Sequence, residues 1–437
     1  MIFSSNYIIV MMQWSPEQQS AIDKYNRGEN IFLTGPGGSG KSTLIKYMYT
    51  SSKRSVSVCA MTGCAALLLD PCAKTLHSWA GIYNGDGSID DNISRASKYA
   101  RKNWVNTDVL IIDEVSMLSL KLFVVLDAIG QALRRSYKPF GGIQLVFSGD
   151  FYQLPPIGND DPATSRFCFQ AFSWPTTFSK DNHVQLKKLY RQQSDDCYAA
   201  ILNQIRVGRL NSASNTILIK HVNRAYDEEL VIKPTKLLPT RNGVYMINND
   251  YLEKLTTPLY KFNAEMVNAS QQRGTPAVSN EIKTLSNQIL CGPTVYLKEG
   301  CQVMCVINIV VGGKLIICNG SQGIVTGFKN NIPVVKYNNG VEMSMPRHTW
   351  PSEKIKGLGI SQIPLLLAWA LTIHKSQGAT LDCAEVDVGS DIFECGQTYV
   401  ALSRVKSLNG LYLSSFDASK IRINGTVQEF YKNLNTT

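Results

Sequence analysis

The chain has no apolar run long enough to cross a membrane. The short piece near its start, Tyr7-Ile8-Ile9-Val10, falls far below the roughly twenty residues a spanning helix needs. No positive charge precedes that piece and no small-residue cleavage site follows it, so residues 1–12 read as a dispensable extension, not a secretory leader. Met11 and Met12 stand just before the first domain signal. No membrane partner is expected. Paired cysteine motifs are also missing: the 11 cysteines are odd in number and scattered, and no two Cys or His pairs stand at zinc-ligand spacing. They read as reduced thiols of an intracellular protein, and no targeting signal chooses among nucleus, organelle, cytoplasm and a viral replication site. A block of basic residues is absent too. The excess of 44 Lys+Arg over 34 Asp+Glu, +10 in all, is spread along the chain and points to a polyanionic partner.

At 437 residues and 44% hydrophobic, the chain has material for more than one domain. Its most informative stretch is Gly35-Pro36-Gly37-Gly38-Ser39-Gly40-Lys41-Ser42-Thr43, set behind the apolar run Ile31-Phe32-Leu33 and ahead of helix-compatible Leu44-Ile45-Lys46-Tyr47-Met48. Strand, then G-x-x-x-x-G-K-[ST], then helix is a cradle for a nucleoside triphosphate. Gly35, Gly37, Gly38 and Gly40, with Ser39, let successive backbone N–H groups turn toward a phosphate, Lys41 reaches the terminal phosphates, the Ser42 hydroxyl helps hold Mg²⁺, and Thr43 carries the turn into the helix. Upstream, Ser15-Pro16-Glu17-Gln18 reads as a helix start. Gln18 offers a donor and an acceptor to an adenine edge, although alone it reads equally as a surface residue.

Val56-Ser57-Val58-Cys59-Ala60 reads as the next strand, followed by Met61-Thr62 and a small-residue helix start. Thr75-Leu76-His77-Ser78 then clusters hydroxyls at a helix start, an arrangement that holds phosphodiesters without reading bases; a lone histidine there is more often structural. Between Tyr83 and Trp104 the composition turns polar, with Arg95, Lys98, Arg101 and Lys102 on what is either a nucleic-acid face or a solvated helix face. Asp108-Val109-Leu110-Ile111-Ile112-Asp113-Glu114 is a buried parallel strand with two carboxylates at its C-terminal edge, where ligands of open α/β sheets bind. Asp113 suits Mg²⁺ and Glu114 the attacking water. A third such strand, Leu145 to Asp150, leaves through Phe151-Tyr152-Gln153-Leu154-Pro155-Pro156, and Gln153 suits a γ-phosphate or its water. These elements predict one doubly wound α/β domain over 13–188 with a small insertion at about 83–104.

A second α/β domain is expected over 189–290 and 348–437, interrupted at 291–347 by short strands broken by Gly and Asn turns, a β-rich insertion. The apolar run Leu365 to Ile373 ends in His374-Lys375-Ser376-Gln377-Gly378. Arg191 and Arg404 follow the first domain and suit a γ-phosphate reached across a cleft.

Taken together, Gly35 to Ser42, Thr75 to Ile82 (TLHSWAGI), Leu110 to Leu118 (LIIDEVSML), Gly149 to Pro156 (GDFYQLPP), Thr372 to Gly378 (TIHKSQG) and Tyr399 to Arg404 (YVALSR) resemble the petite-integration-frequency helicases, superfamily 1B DNA helicases related to the RecD type. The motifs run in family order over nearly the whole chain. The resemblance implies two RecA-like P-loop NTPase domains, a wedge-like insertion near 83–104 and an SH3-like β insertion at 291–347. It implies an ATP-dependent DNA helicase moving 5′ to 3′ on single-stranded DNA and opening tailed or forked duplexes, with G-quadruplexes and RNA–DNA hybrids as further candidate substrates and a monomer as the working unit. Carried onto matching positions, Gln18 contacts adenine, Lys41 and Ser42 the phosphates and Mg²⁺, Asp113 Mg²⁺, Glu114 the water, and Gln153, Arg191 and Arg404 the γ-phosphate, with Gly378 beside the nucleotide. Thr62, His77, Ser78, His374 and Lys375 fall in segments that line the DNA track. Two departures stand out. Trp79 replaces a phenylalanine, and the run from Arg191 to Tyr198 (RQQSDDCY) is one residue longer than the family pattern, leaving the register of the next helix open. Two other functions fit the same residues: a DNA-stimulated translocase that remodels nucleoprotein without separating strands, and a non-catalytic DNA-binding module with a vestigial ATP site.

Overall fold

The computed structural model describes residues 13–435 apart from 63, 64, 67, 68, 70–72, 83, 84, 159, 228–232, 269–274, 290, 312, 313, 318, 319, 353, 354 and 356. The extension at 1–12 lies outside the described residues. Helix α1 (Pro16–Asn26) starts at a reciprocal capping box in which Ser15 accepts from the Gln18 amide and the Gln18 side chain accepts from the Ser15 amide. Strand β1 (Ile31–Thr34), helix α2 (Lys41–Ser51) and strand β2 (Val56–Ala60) follow, then β3 (Lys74–Thr75), α3 (Leu76–Ala80), α4 (Ile89–Tyr99), α5 (Arg101–Asn106), β4 (Val109–Asp113), α6 (Leu120–Arg134), β5 (Gln144–Gly149) and β6 (His183–Gln185). The six strands form one parallel sheet in the order β3-β2-β4-β5-β1-β6. Every residue of β1, β4 and β5 is buried, which is why these strands read as unbroken apolar runs and not as alternating ones.

The polar stretch expected as an excursion is anchored in this first core. Ala96, Ala100 and Trp104 are buried, the Trp104 ring lies 4.6 Å from that of Trp79, and its indole N–H donates to the Ala80 carbonyl at 3.0 Å. Burying a side chain of that size contributes about 3 kcal/mol. Gly81 (φ +74°) makes the approach possible, since a Cβ there would meet the Ala100 methyl at 2.5 Å. Lys98, Arg101 and Lys102 stay exposed.

Helix α7 (Asp196–Arg206) starts the second half, and its register is set by Asp195, which accepts from the Tyr198 amide at 2.9 Å and the Leu408 amide at 2.8 Å. After α8 (Ser212–Lys220) come β7 (Thr235–Leu238) and α9 (Arg241–Lys254). A β-rich region then runs through β8 (Tyr260–Asn263), β9 (Glu265–Asn268), helix α10 (Pro276–Gln288), β10 (Thr294–Leu297), β11 (Gln302–Cys305), β12 (Ile309–Val311), β13 (Lys314–Ile317), β14 (Gln322–Lys329), β15 (Ile332–Tyr337), β16 (Glu342–Ser344), β17 (His348–Pro351), β18 (Leu358–Gln362) and β19 (Leu365–Leu367). Its main sheet is antiparallel, in the order β16-β15-β14-β11-β19. The region is wider than the expected 291–347: Phe262, Trp350 and Ile360 share its core with Val303 and Val335, because β18 pairs with both β17 and β9 and β8 pairs with β10.

The chain returns to a parallel sheet with β20 (Ala370–Thr372) and β21 (Ala384–Val388), then helix α11 (Gln397–Leu402) and β22 (Leu411–Phe416), in the order β20-β7-β21-β22. The last helix, α12 (Gly425–Asn435), departs from the expected division at 348–437. Its Val427 and Tyr431 join the core of the first sheet, where the Tyr431 hydroxyl lies 2.6 Å from Thr34 Oγ1 and accepts from the Phe151 amide at 3.2 Å. An amphipathic helix buries its apolar face on whichever core is within reach, and here that is the first one.

Candidate active site

Strand β1 delivers the glycine-rich loop at its C-terminal end. Gly38 (φ +83°) and Gly40 (φ +85°) hold left-handed conformations open to glycine, and a Cβ on Gly38 would strike the Arg191 Cβ at 2.6 Å. Gly40 caps α2, so the first-turn amides of that helix face a cavity of about 660 Å³. The Lys41 amine donates to the carbonyls of Gly35 and Pro36 at 2.7 and 3.0 Å. Burial pushes its pKa down, and Asp150, Asp113 and Glu114 oppose that shift.

Strand β4 supplies the acids. Asp113 Oδ1 accepts from the Ser148 hydroxyl at 2.7 Å and the Glu114 amide at 3.0 Å, while Oδ2 accepts from the Ser42 hydroxyl at 3.3 Å. Ser42 and Asp113 therefore present hard oxygen donors side by side at the end of the phosphate loop. Among the described residues no group of three or more His, Cys, Asp and Glu side chains forms a metal cage. That donor set fits Mg²⁺, which binds through one or two protein oxygens and completes its shell with phosphate and water. Glu114 adopts φ 58°, uncommon for a non-glycine residue, and its Oε2 accepts from Gln377 Nε2 at 3.1 Å. Burial and neighbouring Asp113 raise its pKa above the ordinary carboxylate value, with Lys41 and Arg404 pulling the other way. The Gln153 side-chain oxygen is buried in the cavity wall without a hydrogen-bond partner, as fits a group waiting for a ligand.

The opposite wall comes from the second half of the chain. Arg404 follows α11 and is held by its own helix, Nε donating to the Val400 carbonyl and Nη2 to the Ser403 hydroxyl, both at 2.9 Å. Arg191 donates to the Ser403 carbonyl at 2.7 Å, Gln192 to the Val405 carbonyl at 2.9 Å, and the Tyr198 hydroxyl to the Leu402 carbonyl at 2.7 Å. The segment after β6 is thereby fastened to the C-terminal end of α11, whose free carbonyls need donors and favour cations. Burial and the neighbouring Arg404 push Arg191 down to about 9, and burial lowers Arg404 as well. Lys41, Arg191 and Arg404, all disfavoured by desolvation and Arg191 also by neighbouring Arg404, make a site suited to a polyanion.

The cavity thus brings together Gly37 to Thr43, Asp113, Glu114, Gln153, Arg191, Gly378 and Arg404. Two expected nucleotide residues stand outside its wall. Gly35 gives its carbonyl to Lys41, and Gln18 is engaged twice, in its capping box and by the Tyr190 hydroxyl at 3.2 Å. Motif reading passed over Gln377, which holds Glu114, and Tyr190, Thr380 and Lys406, which line the cavity. It also passed over Tyr399, although that residue stands inside YVALSR.

The expected DNA residues lie away from the cavity, in two groups. His77 and Ser78 open α3 just beyond β3, the outer strand of the first sheet; His374 and Lys375 leave β20, the outer strand of the second. Thr62 follows β2 and its hydroxyl accepts from the Ala65 amide at 3.2 Å. His77 and His374 are half-buried with pKa values lowered by burial, Arg241 adding to the effect on His374, while Lys375 is exposed.

Known proteins resemble this chain over nearly its whole length. A family model described as PIF1-like helicase matches residues 13–216. The ATP-dependent DNA helicase PIF1 of Homo sapiens is 36% identical over 435 residues, covering 97% of this chain and 64% of the human protein. The chain spans about 64% of the length of the curated relatives it matches. The crystal structure of the Pif1 helicase from Candida albicans superposes with a TM-score of 0.81 at 33% identity, over 97% of this chain and 100% of that one. A Bacteroides Pif1 helicase in complex with ADP-AlF3 and single-stranded DNA does so with a TM-score of 0.68 at 27% identity, over 97% of each chain. The two parallel sheets are therefore the cores of two RecA-like domains. With the phosphate loop, the paired acids and both arginines on one cavity, the chain belongs to the PIF1-like helicase family.

Proposed function

We propose that this chain is an ATP-dependent DNA helicase that moves 5′ to 3′ on single-stranded DNA and separates tailed or forked duplexes. The observation that carries the reading is the shared cavity: Lys41, Asp113 and Glu114 come from the first RecA-like domain, and Arg404 enters from the second. Loop amides and Lys41 hold the phosphates, Glu114 takes the proton of the attacking water, Gln153 orients that water, and Arg191 and Arg404 offset charge on the transferring phosphoryl group. Ser42 and Asp113 would hold Mg²⁺, which would supply charge neutralisation at the phosphates. Gln18 would reach adenine through its amide nitrogen.

Closing the cleft around ATP and opening it after hydrolysis would alternate two DNA grips, Thr62, His77 and Ser78 on one domain and His374 and Lys375 on the other. Grips on phosphates give sequence-independent, salt-sensitive binding. The same track would admit G-quadruplex strands and RNA–DNA hybrids, with a single chain as the motor. A reducing compartment suits the free cysteines among the described residues.

Steady-state ATPase and strand displacement on matched 5′-tailed and 3′-tailed duplexes test the reading. The wild-type chain should open the 5′-tailed substrate, and Lys41→Ala should lose both activities while still binding DNA. Unwinding by Lys41→Ala would refute the assignment. ATP turnover without a displaced strand would select the translocase reading.

A further inference from the structure

Helix α11 touches the phosphate loop at two places, and only the arginine at its end is absorbed by the proposed chemistry. The other is Tyr399. Its hydroxyl accepts the Gly37 amide N–H at 2.8 Å in a buried environment. The residue is 3% exposed and is not among those lining the cavity. Gly37 is also where the loop comes closest to the rest of α11: a Cβ there would lie 3.4 Å from both Arg404 Nη2 and Ser403 Oγ. Burial holds the phenol neutral, its pKa pushed up to about 12. Removing the Tyr399 hydroxyl while α11 stays in place leaves a buried loop amide without its acceptor, which is costly.

We propose that Tyr399 is a positioning residue that fastens the phosphate loop to the second domain, so that Arg404 reaches the γ-phosphate only when the Gly37 amide is held by the Tyr399 hydroxyl. This rests on the reading of the cavity as an ATPase site. Because Tyr399 is not among the residues lining the cavity, the hydroxyl acts on the arrangement that brings Arg404 to the phosphate and not through direct contact with the nucleotide. A residue with a purely structural role would alter the melting temperature and leave turnover per folded molecule unchanged.

The test is Tyr399→Phe, which keeps the ring and removes the acceptor. Steady-state ATPase is measured with and without single-stranded DNA, alongside thermal unfolding and equilibrium binding of a fluorescent ADP. The expected result is a fall in kcat of roughly tenfold, the size of effect a lost buried hydrogen bond produces, with KM for ATP and ADP affinity close to wild type and only a small fall in melting temperature. An unchanged kcat in Tyr399→Phe, with a wild-type chain that hydrolyses ATP, overturns the proposal and leaves the ATPase reading intact. So does a loss confined to melting temperature or ADP affinity. A wild-type chain with no ATPase overturns both.

Discussion

The two parallel sheets meet the same cavity by different means. In the first, functional groups sit immediately beyond strand ends: the glycine loop after Thr34, Glu114 after Asp113, and Gln153 in the turn after β5. The backbone itself binds there, through amides at the start of α2, and short contiguous motifs suffice to build it. In the second, the decisive group, Arg404, stands at a helix end and is aimed by hydrogen bonds to Val400 and Ser403, while Arg191 leans on Ser403 from a segment more than two hundred residues earlier in the chain. The first half of the site is a local structure. The second half exists only when distant segments lock together.

Three changes break or sharpen this contrast. The largest effect belongs to Arg404. Arg404→Ala should lower ATPase kcat by about a thousandfold with KM changed little, and Arg404→Lys should recover only a small part, since a lysine cannot reproduce the fork held by Val400 and Ser403. Full activity in Arg404→Lys would show that charge alone, and not aim, is what the second domain supplies.

Next is the ion pair that ties the halves together. Arg206 donates to both Asp150 oxygens at 2.8 Å in a site almost closed to solvent, with the guanidinium 4.7 Å from the Tyr152 ring and 5.4 Å from that of Tyr431. Arg206→Met leaves Asp150 buried without its partner and should cost about 3–5 kcal/mol in urea unfolding. A loss below about 1 kcal/mol, the scale of an exposed pair, would mean that water reaches Asp150.

The smallest effect is a displacement of the pH profile. As the proposed base, Glu114 would act only when ionised, and burial with Asp113 nearby raises its pKa above the ordinary 4.5. The acid limb of kcat/KM, which reports the free protein, should therefore lie above the range of an exposed glutamate, measured as kcat/KM against pH with melting followed in parallel. The same raised pKa has the folded chain binding this proton more readily than the unfolded one, so its contribution to stability is complete below 4.5 and lost as pH rises through the folded-state value. Turnover and stability should respond in opposite directions across that window. An acid limb at the ordinary position would show that Lys41 and Arg404 outweigh burial.

Much of the first half was legible in the chain. The unbroken apolar runs ending at Asp113 and Asp150 could only be buried parallel strands, and the spacing of Gly35 to Ser42 named the loop. Less was legible where one residue does two jobs. Gln18 reads as an adenine contact, yet its oxygen is committed to the α1 capping box, and nothing in the local sequence weighs one use against the other. The basic stretch before Trp104 reads as a solvated excursion because its charges dominate the composition, while three residues facing the other way, Ala96, Ala100 and Trp104, anchor it. Gln377 and Tyr399 stand inside motifs that were recognised whole; their partners, Glu114 and the Gly37 amide, lie far off in sequence, so no spacing rule points to them.

By itself the sequence pointed to two α/β domains, to a triphosphate cradle with its acids on the first, and to arginines beyond it as candidate partners of that cradle, because strand burial and phosphate binding by backbone amides both write short-range patterns. Only the tertiary structure decided that α12 returns to the first core, that Asp150 is closed by Arg206, and that α11 holds the loop through Tyr399. Each of those depends on which buried polar group finds a partner across the domain boundary, and that is settled by packing, not by neighbours along the chain.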